Sequence, residues 1–274
     1  MNISVADEDV RYVPAELEPT NRCAIMHNSR YRWLLGIVDV SGSSILDFGC
    51  GSGYGADYLA QRGARVLGLD ISPMAIKYAK ATFALPRFQV QDLTNCTLVS
   101  QISERFDVIV SFDVIEHVEK WWVFLDNVRG LLKKDGVAVI GCPNRIAHFD
   151  FNPFWNKFHV QEFTPVQLQW VCSKYFDRVE VLGQRFLDPK DRVRYTAQPM
   201  GPLWYMKEAL LLTPLRTPVQ KAIKLIRNGD SARPVKTRGG RKGDEKAEIV
   251  FDAIDMHDEA SMRAPFGLVA VCRP

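Results

Sequence analysis

The chain is expected to fold as an α/β protein with a doubly wound, mostly parallel sheet. Three observations carry this expectation. Short apolar runs alternate with segments of helical spacing, the order that builds a parallel sheet covered by helices on both faces. The first run, Ile45 to Phe48, passes directly into a glycine-rich turn carrying Gly49, Gly51, Gly53 and Gly55. Acids stand within or just after the first three runs, at Asp47, Asp70 and Asp92.

Each element has its own signal. Alternate glycines permit positive φ and let a ligand lie against bare backbone, which a Cβ would prevent. Ala56 to Gln61 reads as the first turns of a helix whose N–H groups face that ligand. Arg65 to Leu69 is the second strand and Ser72-Pro73 the capped start of the next helix. Arg87 to Gln91 is the third strand. Phe106 to Phe112 is the fourth, apolar enough to be covered on both faces. Trp121 to Lys133 has helical spacing, and Gly136 to Gly141 follows as the fifth strand through the Asp135-Gly136 turn. Thr164-Pro165-Val-Gln167 is a capping-box helix start. Val179 to Gly183 and Leu268 to Cys272 are the last two strand candidates.

Composition sets outer bounds. A chain of 274 residues with 47% hydrophobic content buries a full core, as one domain with an elaboration. No apolar run approaches the roughly 18 residues of a membrane span. The acidic start MNISVADEDV lacks the order of a signal peptide. Six scattered cysteines without a C-x-x-C pair fit a reducing cytosol, so a cytoplasmic location is expected and a structural zinc site is not.

The glycine spacing alone is ambiguous, because Gly51 to Ala56 also satisfies a dinucleotide pattern. Asp47 shifts the balance. A carboxylate ahead of the first glycine sits poorly beside a pyrophosphate and well beside a cationic ligand. With Asp47, Gly49, Gly51 and Gly53 matching acid-x-Gly-x-Gly-x-Gly, the chain resembles the class I S-adenosylmethionine-dependent methyltransferases. That resemblance implies a seven-stranded Rossmann-like sheet whose last strand is inserted antiparallel beside the fifth. It implies S-adenosylmethionine as cofactor. Asp70 would take the ribose hydroxyls, 21 residues after Gly49, and Asp92 the adenine amino group. Ile71, Leu93, Phe112 and Tyr31 complete the implied cofactor set, with Arg30 and Arg32 as further candidates for the cofactor carboxylate.

Chemistry is expected after the fourth strand. If a helix begins there, Asp113, Glu116 and His117 share one face. The unperturbed pKa of histidine suits a general base, which makes His117 a candidate, and His159, in the long connection after the fifth strand, leaves the same sheet edge. The catalytic candidates are therefore His117, His159 and Glu116. D-x-x-E-H with a later histidine also resembles the ubiquinone-synthesis O-methyltransferases and the enzymes that methylate the 2′-oxygen of small-RNA ends, which hold a divalent ion. On that resemblance Asp113, Glu116, His117 and His159 are candidate ligands for Mg²⁺, Mn²⁺ or Zn²⁺. Without a metal, Glu116 and His117 would contact cofactor or substrate directly.

The organisation expected is an N-terminal cap segment over 1–40, a cofactor-binding core over 41–186, a basic insertion over 187–266 and a closing strand over 267–274. Between Met200 and Lys246, eleven Lys or Arg stand against four acids, a local excess of +7 in a chain of net charge +3. The bland reading is a solvated substrate lid. The sharper one is contact with an anionic substrate or a membrane surface, through an amphipathic stretch at Pro218 to Arg227 and the charged loop over 227–248. The wording R-Y-V-P and H-V-x-E-F-T-P resembles bacterial methyltransferases encoded with glycan-modifying enzymes, which makes a glycan or small-molecule hydroxyl the leading acceptor. A nucleic-acid 2′-O-methyltransferase is the alternative, although nucleic acid is the less favoured partner. A nicotinamide-dependent reductase ranks lower, because no tyrosine is followed four residues on by lysine. A cofactor-binding protein without catalysis is the third class. Cys142 precedes Pro143, the reverse of the cytosine-C5 order, and reads as a core cysteine.

Overall fold

The computed structural model describes residues 22–149, 158–186, 249–257, 261 and 265–274. Most of the expected basic insertion, including the loop over 227–248, and much of the N-terminal segment lie outside the described residues.

The chain runs α1 (Arg22–Leu34), β1 (Ser44–Phe48), α2 (Tyr54–Ala60), β2 (Arg65–Asp70), α3 (Pro73–Thr82) and β3 (Arg87–Val90). It continues through α4 (Leu98–Gln101), β4 (Phe106–Phe112), α5 (Trp121–Leu131), β5 (Leu132–Pro143) and α6 (Arg145–Phe149). It ends with α7 (Pro165–Cys172), β6 (Arg178–Phe186), β7 (Ile249–Ala253) and β8 (Gly267–Arg273). The strands form one sheet in the order β3-β2-β1-β4-β5-β8-β6-β7. β1 to β5 pair in parallel. β8 enters antiparallel between β5 and β6, as expected for the closing strand. The sheet reverses strand order between β1 and β4, so both strands open at one carboxyl edge, the place where such sheets bind ligands.

The sheet has eight strands, not the expected seven. The additional one is β7, which pairs antiparallel with β6 from Phe186↔Ile249 to Leu182↔Ala253. Its five residues fell inside the expected insertion. They follow the run KGDEKAE, lie at the sheet edge and are only partly buried, so no clear alternation marks them. Trp33 of α1 stacks on Phe251 of β7, with centroids 4.7 Å apart. This edge strand therefore has a packing role in seating α1.

Two apolar layers sandwich the sheet. One joins Leu46, Phe48 and Ile109 to Phe124, Leu125 and Val128 of α5 and Leu168 of α7. The other joins Ile45, Val108 and Val110 to Leu34 of α1, Leu59 of α2 and Ile76 of α3. The split follows the strand period of two: neighbours Ile45 and Leu46 serve opposite faces. Helix starts follow their caps. Ser72 Oγ accepts from the Ala75 amide at 3.2 Å, and Thr164 and Gln167 form the full capping box. Cys142 is fully buried, in keeping with a core role. No helix among the described residues is long and apolar enough to cross a membrane.

Candidate active site

The glycine loop between β1 and α2 is built for close approach. Gly49, Gly51 and Gly53 all have positive φ, at 99°, 52° and 86°. Their roles differ. A Cβ on Gly53 would meet Ala79 and Phe88 at 2.7 and 2.8 Å, so that glycine serves packing. A Cβ on Gly51 would meet nothing within 4 Å, so that glycine faces open space. The Gly51 amide donates to Asp70 Oδ2 at 2.9 Å, and the Ser72 amide donates to Asp70 Oδ1 at 2.9 Å. Asp70 thus ties the loop to the start of α3. Next to it Ile71 is 66% exposed, an apolar platform at the mouth of the loop.

Asp47 is completely buried behind the loop. The Tyr31 hydroxyl lies 3.2 Å from its Oδ2 and 3.4 Å from its Oδ1. Burial pushes the Asp47 carboxyl up to about 7; the Tyr31 hydrogen bond opposes that rise and Asp70 adds to it. Tyr31 packs edge-on against Phe112 at the end of β4, with centroids 5.2 Å apart. The remaining adenine-side candidates divide. Asp92 is exposed, and its Oδ1 accepts from the Thr94 amide and hydroxyl. Leu93 puts its side chain into the core, while its carbonyl accepts from Asn127. Of the two arginine candidates, Arg32 is exposed and Arg30 is committed elsewhere.

The loop fits a cationic nucleoside ligand on three counts. There is open space at left-handed Gly51. There is a buried carboxylate, Asp47, on which no cation among the described residues acts. The Ser52 hydroxyl is 2% exposed and has no partner among the described residues.

No helix begins at Asp113, which corrects the expected shared face; the next helix is α5. Asp113 takes φ 56°, a left-handed conformation that acids tolerate better than most residues but that no helix accepts. The chain then turns, closed by the His117 amide on the Val114 carbonyl at 2.9 Å. Asp113 is thereby sent to α1, where its Oδ2 pairs with Arg30 and lies 3.4 Å from His27. Arg30 also donates to Gln184 of β6 at 2.9 Å, and Gln184 donates in turn to the Met26 carbonyl and Ser29 hydroxyl. Burial alone would raise Asp113, but Arg30, then His27, hold it below the usual carboxylate range. Burial takes His27 down to about 4 despite Asp113.

Glu116, His117 and His159 do come together. One ligand atom from each lies within 4.8 Å of the other two, and Asp113 stands outside this group. The histidine rings meet edge-on with centroids 4.9 Å apart. His117 Nδ1 lies 3.1 Å from the Phe158 carbonyl, and His159 Nδ1 lies 2.8 Å from Glu162 Oε1. Both partners are acceptors, so in the neutral rings Nδ1 carries the proton and Nε2 the lone pair. Glu116 is fully buried, and neither carboxylate oxygen has a hydrogen-bond partner among the described residues, while His117 Nε2 stands 3.9 Å from Oε1. Burial, then Asp113, push its carboxyl well above the ordinary range.

Sequence reasoning missed the residue that assembles this group. Gln161 donates from Nε2 to the carbonyls of Ile115 and Val118 at 2.8 and 2.9 Å. The Val160 and Gln161 amides donate to the Glu116 carbonyl at 2.9 and 3.2 Å. These four bonds hold the His159 segment against the turn that carries His117. A polar residue two places after a candidate histidine was the available signal, and it is a weak one.

The fold is a Rossmann-like α/β sheet with a glycine loop at its carboxyl edge. Residues 46–140 match the family described as a methyltransferase domain. It is 33% identical over 132 residues to a probable S-adenosylmethionine-dependent methyltransferase of Mycolicibacterium smegmatis, covering 47% of this chain and 49% of the relative. It is 35% identical over 108 residues to a ubiquinone biosynthesis O-methyltransferase of Rhodopseudomonas palustris, covering 39% and 42%. The chain thus spans about half the length of the curated relatives it matches. A crystal structure of an S-adenosylmethionine-dependent methyltransferase from Archaeoglobus fulgidus shares the fold, with TM-score 0.58 and 14% identity over 91% of this chain and 94% of that one.

Proposed function

We propose that the protein transfers the methyl group of S-adenosylmethionine to a hydroxyl of a sugar, a lipid-linked compound or another small molecule. The observation that carries this reading is the Glu116, His117 and His159 group, standing after the carboxyl ends of the strands that build the glycine loop. When bound, S-adenosylmethionine supplies a methyl made electrophilic by its sulfonium. The chain's work is alignment and proton removal. Asp47 and the glycine loop receive the cationic end, with Asp70 and Ile71 beside the nucleoside. A histidine Nε2 lone pair takes the acceptor's hydroxyl proton, a role worth roughly 10²- to 10⁴-fold. Holding acceptor and donor in line supplies much of the remainder.

Calorimetric titration tests the cofactor. S-adenosylmethionine and S-adenosylhomocysteine are expected to bind and NADPH is not; binding of NADPH alone would sink this reading. Release of S-adenosylhomocysteine is then followed with nucleotide sugars, catechols and RNA. Turnover of RNA alone would replace the small-molecule acceptor with the nucleic-acid alternative.

A second reading gives the same three side chains a divalent ion. It is favoured by the two buried oxygens of Glu116, which take no hydrogen bond among the described residues, beside the Nε2 atoms of two histidines, a ligand set that, with Glu116 ionised, suits Mg²⁺, Mn²⁺ or Zn²⁺. Glu116, His117 and His159 would hold it, and it would lower the pKa of an acceptor hydroxyl. Enzyme stripped of metal and assayed with chelator is expected to lose its rate and regain it with added Mg²⁺ or Mn²⁺. Full rate in chelator removes the metal.

A further inference from the structure

The contact between Tyr31 and Asp47 joins the cap helix to the cofactor loop. Tyr31 is 4% exposed, and its ring fills the space where a Cβ on Gly55 would stand, so the phenol sits in one place. Tyr54 of α2 closes the other side edge-on, with centroids 5.5 Å apart. Among the described residues, the Tyr31 hydroxyl is the one hydrogen-bond donor to the Asp47 carboxylate. The other titratable groups facing this pair are Asp70 at the end of β2, Cys50 after β1 and Tyr54 on α2. None of them is a cation. Of the α1 groups that lie nearby, the Arg30 cation and the His27 ring are turned to Asp113 instead. Asp47 is therefore a fully buried acid whose one support is a phenol.

We propose that Tyr31 and Asp47 make cofactor binding proton-linked: the Tyr31 hydroxyl holds Asp47 as a carboxylate behind the glycine loop, and the cofactor's cationic tail binds that ionised form. The inference rests on the S-adenosylmethionine reading above. It makes Tyr31 a positioning residue that acts through Asp47, not a contact for the cofactor's own carboxylate. The placement of the acid near neutrality, at about 7, puts this linkage inside the working range. Protonated Asp47 offers no charge to an ammonium or sulfonium. Affinity for such a tail then falls by about tenfold per pH unit below the Asp47 midpoint and levels off above it. Removing the phenol hydroxyl takes away a hydrogen bond to the charged form, which moves the midpoint up by about one to two pH units.

The test is calorimetric titration of the full chain and its Tyr31→Phe variant between pH 5.5 and 8.5. The probes are S-adenosylhomocysteine, which keeps the ammonium, and 5′-methylthioadenosine, whose tail is neutral. For the parent, S-adenosylhomocysteine affinity is expected to rise with pH and flatten above about 7. For Tyr31→Phe it is about 5- to 50-fold weaker at pH 7 and still climbing at pH 8.5, nearing the parent value there. Affinity for 5′-methylthioadenosine is expected to be flat with pH and unchanged by the substitution. A parent affinity for S-adenosylhomocysteine that ignores pH overturns the inference. So does a Tyr31→Phe loss that is equal at every pH, which is what a merely structural tyrosine would give. Failure of both probes to bind the parent at any pH overturns the cofactor reading itself, a separate and recognisable outcome.

Discussion

Asp47→Asn is expected to yield a protein that is more stable than the parent at pH 8 and that binds the cofactor far more weakly. The sign follows from where the acid ionises. In the folded chain burial raises Asp47 from an ordinary 3.8 to about 7. Below about pH 4 the group is protonated in both folded and unfolded chains and imposes no penalty. As pH rises from 4 to 7 the unfolded chain releases its proton while the folded chain retains it, so stability declines by about 1.4 kcal/mol per unit. Above the folded value the decline is complete, and the accumulated penalty is of order 4 kcal/mol. Asparagine cannot ionise, and its amide oxygen still accepts from Tyr31. Urea denaturation at pH 5 and pH 8 reads the difference: the parent loses stability between the two, and the variant is expected to lose less. The same substitution removes the charge that a cationic tail meets behind the loop, so cofactor affinity should fall by about 100-fold. A variant with the parent's pH slope would show that Asp47 is not a strained acid. A variant with the parent's affinity would show that it is not the cation's partner. Retaining a costly buried acid makes physical sense only if a ligand repays it.

The glycine loop was legible because its requirements are local. Positive φ at Gly51 and Gly53 calls for glycine whatever lies elsewhere in the chain, and Asp70 at a strand end braces a turn two residues away. The alternating strands and the two capped helices were legible for the same reason. What was not legible depends on distant partners. Asp113 reads as a helical neighbour of Glu116 until one knows that Arg30, 83 positions earlier, claims it and that its φ is positive. Arg30 is held in turn by Gln184, 154 positions away, for which no sequence window provides a signal. β7 was missed because an edge strand is covered on one side only, which blurs the period that reveals the central strands. The meeting of His117 with His159 followed from topology, since both follow strands that open at one edge. The bonds of Gln161 that set their separation did not.

His117→Ala and His159→Ala are each expected to lower kcat by about 10²- to 10⁴-fold while S-adenosylhomocysteine affinity stays within about threefold of the parent. The split arises because the two rings stand on the turn after β4 and the segment before α7, apart from the glycine loop proposed to receive the cofactor. The double variant then separates the two chemistries open to this group. If the histidines act as one unit on a single proton, the double loss should match the single loss, because removing either member already disables the unit. If the pair holds a metal with Glu116, a single variant keeps two ligands, and raising Mn²⁺ should restore part of its rate, whereas the double variant with one ligand should not respond. Glu116→Gln sharpens the comparison. It preserves the shape of a fully buried side chain and exchanges one orphan oxygen for a donor, which a metal does not accept and a purely imidazole-based proton transfer tolerates. Loss of cofactor affinity in the histidine variants would place these rings in the cofactor site, and unchanged kcat in both would remove them from the chemistry. Gln161→Ala carries the geometric half of the argument: it deletes two of the four bonds that hold His159 to the turn, so it should lower kcat with both histidines intact.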